Sequence, residues 1–197
     1  MNKAYIRTTL LPCLFFAFPV LTIAVASCNK VDESIQRDVT IRPDTVVFTI
    51  PVISTLNSGS IAGDFPVTIN VEQKIKDATK GEFGAGNLTD LRIASFKMEL
   101  TIGAADTPDV NNNLGNFEAI SVEIKADPYK ATIAKTDANS ASNIRTVTIG
   151  GGVNSPDLNT LLQKGSFRYD IRVKARKETT KTIEARVLPV FTATVKK

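Results

Sequence analysis

Along residues 45–195 the chain alternates apolar and polar positions in short runs rich in Val, Ile, Thr and Phe, separated by turn residues. That period of two places one side of each run inward and the other in water, so the runs predict strands rather than helices. The clearest is Leu91–Ile102, with Phe96, Met98, Leu100 and Ile102 on one face and Ser95, Lys97, Glu99 and Thr101 on the other. Phe117–Ala126 repeats the pattern with Ile120, Val122 and Ile124, and Asp127-Pro128 turns it into Tyr129–Thr136. Thr45–Ile53, Phe65–Ile69, Ile144–Ile149, Ser166–Lys177 and Thr182–Val195 complete the set, and the last two predict a hairpin across a polar turn at Glu178-Thr179-Thr180. Pro51 limits the first run to an edge or a bulge.

Two segments carry helix start and stop signals instead. Asn70-Val71-Glu72-Gln73 has the form of a capping box, with Gly81 past the far end. Ser155-Pro156-Asp157 sets a cap, a first-turn proline and an acid before Leu158, Leu161 and Leu162, and Gly165 closes the turn. Seven or eight alternating strands with two such connectors predict an all-β fold, an immunoglobulin-like antiparallel β-sandwich with one or two short helices, over residues 45–197.

Residues 28–44 break the alternation. They are polar and mixed in charge, with only Val31, Ile35, Val39 and Ile41 scattered among them, and read as a flexible tether. Before them, Lys3 and Arg7 precede an apolar stretch from Thr8 to Ala26, the charged and apolar regions of a secretory signal peptide over residues 1–27. Pro12 and Pro19 within the stretch, and small residues at its end, argue against an uncleaved membrane-spanning helix.

Val25-Ala26-Ser27-Cys28 resembles the lipobox of bacterial lipoproteins. The resemblance implies that Val25, Ala26 and Ser27 are read by the lipoprotein signal peptidase and that Cys28 carries the lipid. Two or three acyl chains on one residue suffice for stable attachment, because each buried methylene contributes about 0.8 kcal/mol. Lys30-Val31-Asp32-Glu33 is similar to the Lys-plus-acidic tag of surface-displayed Bacteroidetes lipoproteins. Asn29 is not the aspartate that retains enterobacterial relatives at the inner membrane. Both point to an outer-membrane, outward-facing location. Residues 88–195 also resemble a group of Bacteroidetes lipoproteins without assigned activity, through Leu91–Thr101, Asn116-Phe117, Leu158–Leu162 and a following basic strand.

Composition narrows the chemistry. The chain has no His, and its two cysteines are Cys13, inside the signal peptide, and Cys28. Histidine-assisted nucleophilic catalysis and the usual zinc ligand sets are therefore excluded, and a lipidated Cys28 leaves no disulfide. With Lys3 and Arg7 removed, 22 basic residues face 20 acidic ones, a balance that offers no basis for nucleic-acid binding. Paired carboxylates remain a formal route to a hydrolase, but nothing in the sequence selects a pair.

Two constellations stand out as candidate sites. In the loop Asp106–Gly115, Asp109, Asn111 and Asn113 offer alternate side-chain oxygens, as the opening of a calcium loop does, although Leu114 stands where such a loop needs glycine and Ile120 where it needs glutamate. A plain polar loop is the competing reading. Arg168, Arg172, Lys174 and Arg176 form a basic stripe along one strand, either a solvated face that discourages edge pairing or a surface for an anionic partner. Phe83, Tyr129 and Tyr169 would stack on sugars if exposed. The sequence therefore predicts a non-enzymatic envelope lipoprotein with no cofactor beyond its lipid, whose partners are the membrane and an envelope protein or glycan. A calcium- or glycan-binding accessory module is the alternative.

Overall fold

A computed structural model describes residues 35–56, 59–151 and 156–197. The chain divides into two units, Met1–Glu33 and Ser34–Lys197, and the structure below is that of the second.

Among the described residues nine strands form: β1 (Gln36–Ile41), β2 (Val46–Ile50), β3 (Gly59–Thr68), β4 (Leu88–Leu100), β5 (Phe117–Ala126), β6 (Tyr129–Thr136), β7 (Thr146–Gly150), β8 (Ser166–Ala175) and β9 (Ile183–Lys196). All pair antiparallel, and the pairing is nested: β5 with β6, β4 with β7, β3 with β8 and β2 with β9. The chain is thus one long hairpin folded at the β5–β6 turn. Rolling it up sets β9 against β4 and β8 against β5, giving one sheet of β1 and β2 side by side on β9, then β4 and β7, and a second in the order β3, β8, β5, β6. The sandwich of two antiparallel sheets with short helices is the one the alternation predicts. Its strand order is that of a jelly roll. An immunoglobulin sandwich keeps three successive strand pairs within a sheet, whereas from β2 onward this chain keeps only β5 and β6.

The inward positions fill the space between the sheets. Phe96 and Met98 from β4, Val187, Phe191 and Val195 from β9, and Ile120, Val122 and Ile124 from β5 meet Phe167, Tyr169, Ile171 and Val173 from β8, all buried. Tyr169 packs edge-on to Phe167 and tilted against Phe65, which in turn contacts Phe48 from β2.

Two expectations need correction. Residues 36–41 of the predicted tether are strand, paired with Phe191–Lys196 of β9, so the folded unit reaches well N-terminal of residue 45. Only Val39 and Ile41 of this strand enter the core, too few to show as a run in sequence. Polar contacts hold the rest: the Asp38 carboxylate accepts from Thr194 Oγ1 and from Arg92, each at 2.6 Å. Nor do β8 and β9 form a hairpin. Residues 176–182 carry the chain from one sheet to the other, because both long strands already have partners on each side. A polar turn marks where the chain reverses but not which sheet receives it.

Pro51 ends β2 at Ile50. Pro189, within β9, falls in the interval Leu188–Val190 that neither β1 nor β2 pairs, so the break between those two strands coincides with a missing N–H.

The helices α1 (Val71–Thr79) and α2 (Pro156–Gln163) connect β3 to β4 and β7 to β8. Asn70 caps α1 by accepting the Gln73 N–H at 2.9 Å, but the Gln73 side chain turns forward to Asp77 rather than back to the cap, so the box is half formed. Leu158, Leu161 and Leu162 of α2 are buried and Gly165 takes a positive φ beyond it. Ser155 lies outside the described residues.

Candidate functional site

The roll gives the domain two unlike ends. At one, the Lys197 N–H donates to the Ile35 carbonyl at 3.1 Å, and α1, the end of α2 and the Asp127-Pro128 turn gather. At the other, four connections emerge: residues 51–56, 101–116, 137–145 and 176–182. With about 3.3 Å per residue, the fourteen residues of β9 separate the ends by roughly 45 Å.

Buried asparagines knit the four loops together. Asn139 donates from Nδ2 to the carbonyls of Leu114 and Phe117 at 3.0 and 2.9 Å, and its Oδ1 accepts from Asn143. Asn112 Oδ1 accepts the backbone N–H groups of Thr180 and Lys181, both at 2.8 Å. Thr179 ties the 176–182 loop to Ile53 through two hydrogen bonds. Amide side chains suit this task because each both donates and accepts, replacing the backbone partners that irregular chain lacks. Gly115 lies so close to Ala141 that a Cβ on it would run into the Ala141 carbonyl.

Between these loops lies a cleft of about 310 Å³. Pro108, Val110, Ala141 and Ile144 form its apolar walls, Asn113, Gly115 and Asn116 its floor, and Arg176 and Lys177 its charged rim. Val110 is 74% exposed and Ile144 41%. Arg176 donates to the carbonyls of Asn139 and Phe117, and Lys177 to Asn111 Oδ1 at 2.8 Å. These acceptors are neutral, so both positive charges stand without a carboxylate among the described residues.

A larger cleft, about 770 Å³, lies at the opposite end beside α1 and the close of α2. Its carboxylate is paired, and its ammonium faces carbonyl oxygens and a ring. Glu72 accepts from Lys76 at 2.7 Å and from the Ala85 N–H, while Lys164 donates to the Asp127 carbonyl and sits 4.6 Å from the Tyr129 ring centroid.

The oxygens of the calcium-loop candidate are already engaged. Asp109 accepts the Asn111 N–H at 2.8 Å and the Asn112 amide at 3.0 Å, Asn111 Oδ1 accepts from Lys177, and Asn113 Oδ1 accepts the Gly115 N–H at 2.9 Å. The Lys181 ammonium also lies 3.9 Å from the Asp109 carboxylate. The hydrogen bonds from Asn111 and Asn112 outweigh the effect of burial and, with Lys181, hold the Asp109 carboxyl below its ordinary range. This is a turn scaffold with its acceptors spent on the protein's own donors. Among the described residues no three His, Cys, Asp or Glu side chains group to hold a metal.

The basic stripe is divided by its partners. Arg168 pairs with Asp64 at 2.8 Å, Arg172 with Asp170 at 3.2 Å and Lys174 with Glu118 at 3.2 Å. Strand β8 is central in its sheet, so these charges guard no edge. Instead Asp64, Asp170 and Glu123 stand opposite one another across three strands, with Arg172 on one flank and Arg168 opposite Lys125 on the other. Carboxylates directly opposite would repel, and the flanking cations offset that. Only Arg176 turns to the loop end.

Phe83 and Tyr169 are each 1% exposed, which removes them as sugar platforms. Val110 and Ile144 had no sequence signal as site residues. A lone valine between Asp109 and Asn111 is an ordinary loop residue on paper, and Ile144 reads as the start of a strand that in fact begins at Thr146. Val25, Ala26, Ser27 and Cys28 lie outside the described residues.

No protein-family model matches the chain, and no curated protein matches it. Among solved structures it is similar to one of black queen cell virus, at 9% identity over 98% of this chain and 86% of that chain, with a TM-score of 0.20. So loose a superposition carries no argument about fold or function.

Proposed function

We propose that this chain is a cell-envelope lipoprotein, exported by residues 1–27, lipidated on Cys28 and held at the outer membrane facing outward, where its domain acts as a non-enzymatic binding module. One observation supports this most: the first described strand enters at one end of the roll, and the four knitted loops emerge at the other. The seven-residue step from Cys28 to Ile35 reaches at most about 25 Å when extended. A lipid on Cys28 would hold the Ile35 end near the membrane and turn the loop end away from it. Binding rather than catalysis agrees with the lack of His and of a cysteine other than Cys13 and Cys28. The partner in this reading is an envelope protein met at the loops. A glycan partner loses support with the burial of Phe83 and Tyr169, and a calcium-dependent one with the occupied oxygens of Asp109, Asn111 and Asn113.

Metabolic labelling with palmitate tests the anchor. The wild-type chain should take up label, and Cys28→Ala should not; an unlabelled wild-type chain ends the proposal. Protease treatment of intact cells tests the orientation. The domain should be lost while a periplasmic marker survives, and digestion only after lysis would overturn the outward-facing assignment.

A further inference from the structure

We infer that the loop-end cleft takes an acidic peptide segment of a partner protein, seated through one apolar side chain; this rests on the display reading above and names its ligand. The walls are apolar and open. Val110, the most exposed large aliphatic residue among those described, and the exposed Ile144 face the same cleft with Pro108 and Ala141 beside them. Its volume of about 310 Å³ lies at the small end of the range for ligand pockets, enough for an anchoring side chain and its neighbours.

The rim supplies the sign of the charge. Along the strands many basic side chains have acidic neighbours, among them Arg168 with Asp64, Arg172 with Asp170, Arg186 with Glu99 and Arg92 with Asp38, whereas Arg145 and Lys164 donate to backbone carbonyls. Arg176 and Lys177 also face neutral oxygens, and no carboxylate lines the cleft among the described residues. A guanidinium and an ammonium on the rim of an apolar slot match a segment with Asp or Glu beside an aliphatic or aromatic residue.

The floor is preorganised. Asn113 and Asn116 are buried, and Asn113 is bonded to the Asp109 and Val110 carbonyls as well as to the Gly115 N–H, while Asn116 donates to the Asn111 carbonyl. Little ordering of the receptor is then required on binding, which leaves more of the contact energy to affinity.

The test is fluorescence anisotropy on the full chain in detergent, with labelled decapeptides that carry Asp and Glu around a central Leu or Phe. Matched peptides replace the acids by Asn and Gln, or the central residue by Ser. The acidic Leu or Phe peptides should bind, more weakly as salt rises, and both kinds of replacement should weaken binding by about tenfold or more. Val110→Asp and a Lys177→Gln, Arg176→Gln double variant should each lose about tenfold or more, whereas Arg168→Gln on the sheet face should bind as wild type. Val110 and Lys177 are exposed, so a folding defect is not expected, and an unchanged thermal midpoint checks it. Equal binding of acidic and amide peptides, wild-type binding by Val110→Asp, or no binding across the panel would overturn the inference. Normal palmitate labelling and surface exposure with no peptide bound would sink this inference alone. Peptide binding by an unlabelled chain would sink the anchor alone.

Discussion

The ammonium of Lys125 on β5 donates to the carboxylate of Asp170 on β8, a diagonal contact onto the middle one of three carboxylates in a row on the outer face of the second sheet. Asp170 is nearly buried, with a second partner in Arg172 at 3.2 Å. Burial pushes its carboxyl up, but the bonds from Lys125 and Arg172 outweigh burial and hold it below the ordinary 3.8. Because the unfolded chain then takes up the proton first, the stability this group contributes is full above 3.8 and lost as pH falls through the lower native value. Asp170→Asn should cost about 1–2 kcal/mol near neutral pH, a moderate figure because Lys125 and Arg172 remain partly in water. In denaturant titrations the gap between wild type and variant should narrow in acid. A constant gap down to about pH 3 would refute the linkage.

One residue before Asp170 and on the opposite, core-facing side of β8, Tyr169 buries its hydroxyl with no hydrogen-bond partner among the described residues. An unpaired buried hydroxyl carries its desolvation penalty without return. Tyr169→Phe should therefore leave stability unchanged or raise it by about 1 kcal/mol. A loss above about 1 kcal/mol in chemical unfolding would show that the hydroxyl is satisfied.

The first strand belongs to the folded unit and its stability should depend on it. Ile41, opposite Phe191 and 1% exposed, is its deepest side chain. Ile41→Ala should lower stability by about 2–4 kcal/mol, the range for truncating a buried aliphatic. A flexible tether would show no change.

At the loop end Asn139 bonds three loop groups from one buried side chain. Asn139→Ala removes one of two donors from each of the Leu114 and Phe117 carbonyls, which keep the Phe117 N–H and Arg176, and should cost about 1–2 kcal/mol. Amide exchange should then quicken across residues 111–117 while β8 and β9 stay protected. Uniform protection everywhere would mean the loops hold without this residue.

Calcium offers a separate check on the 109–113 loop. A ligand specific to the native state raises stability by mass action. Since Asp109, Asn111 and Asn113 already accept protein donors, millimolar calcium or a chelator should leave the thermal midpoint in place. A rise with calcium would show that those hydrogen bonds yield to the ion.

The amino-acid order determined the local elements, because their causes are local. Period-two alternation marks Phe117–Ala126 and Tyr129–Thr136 at the residues where those strands stand, and Asn70 and Gly165 bound the two helices by short-range capping. The partnership of strands had no such cause. Whether Ser166–Ala175 lies beside β9 or between β3 and β5 depends on how the folded hairpin rolls, and the inward residues of either arrangement would be equally apolar. The strand at Gln36–Ile41 exists because β9 has an open edge for it, a fact held 150 residues away. The cleft follows the same rule. Val110, Ile144 and Arg176 come from three loops, and only the closure of the roll brings an apolar slot and an unneutralised charge to one place.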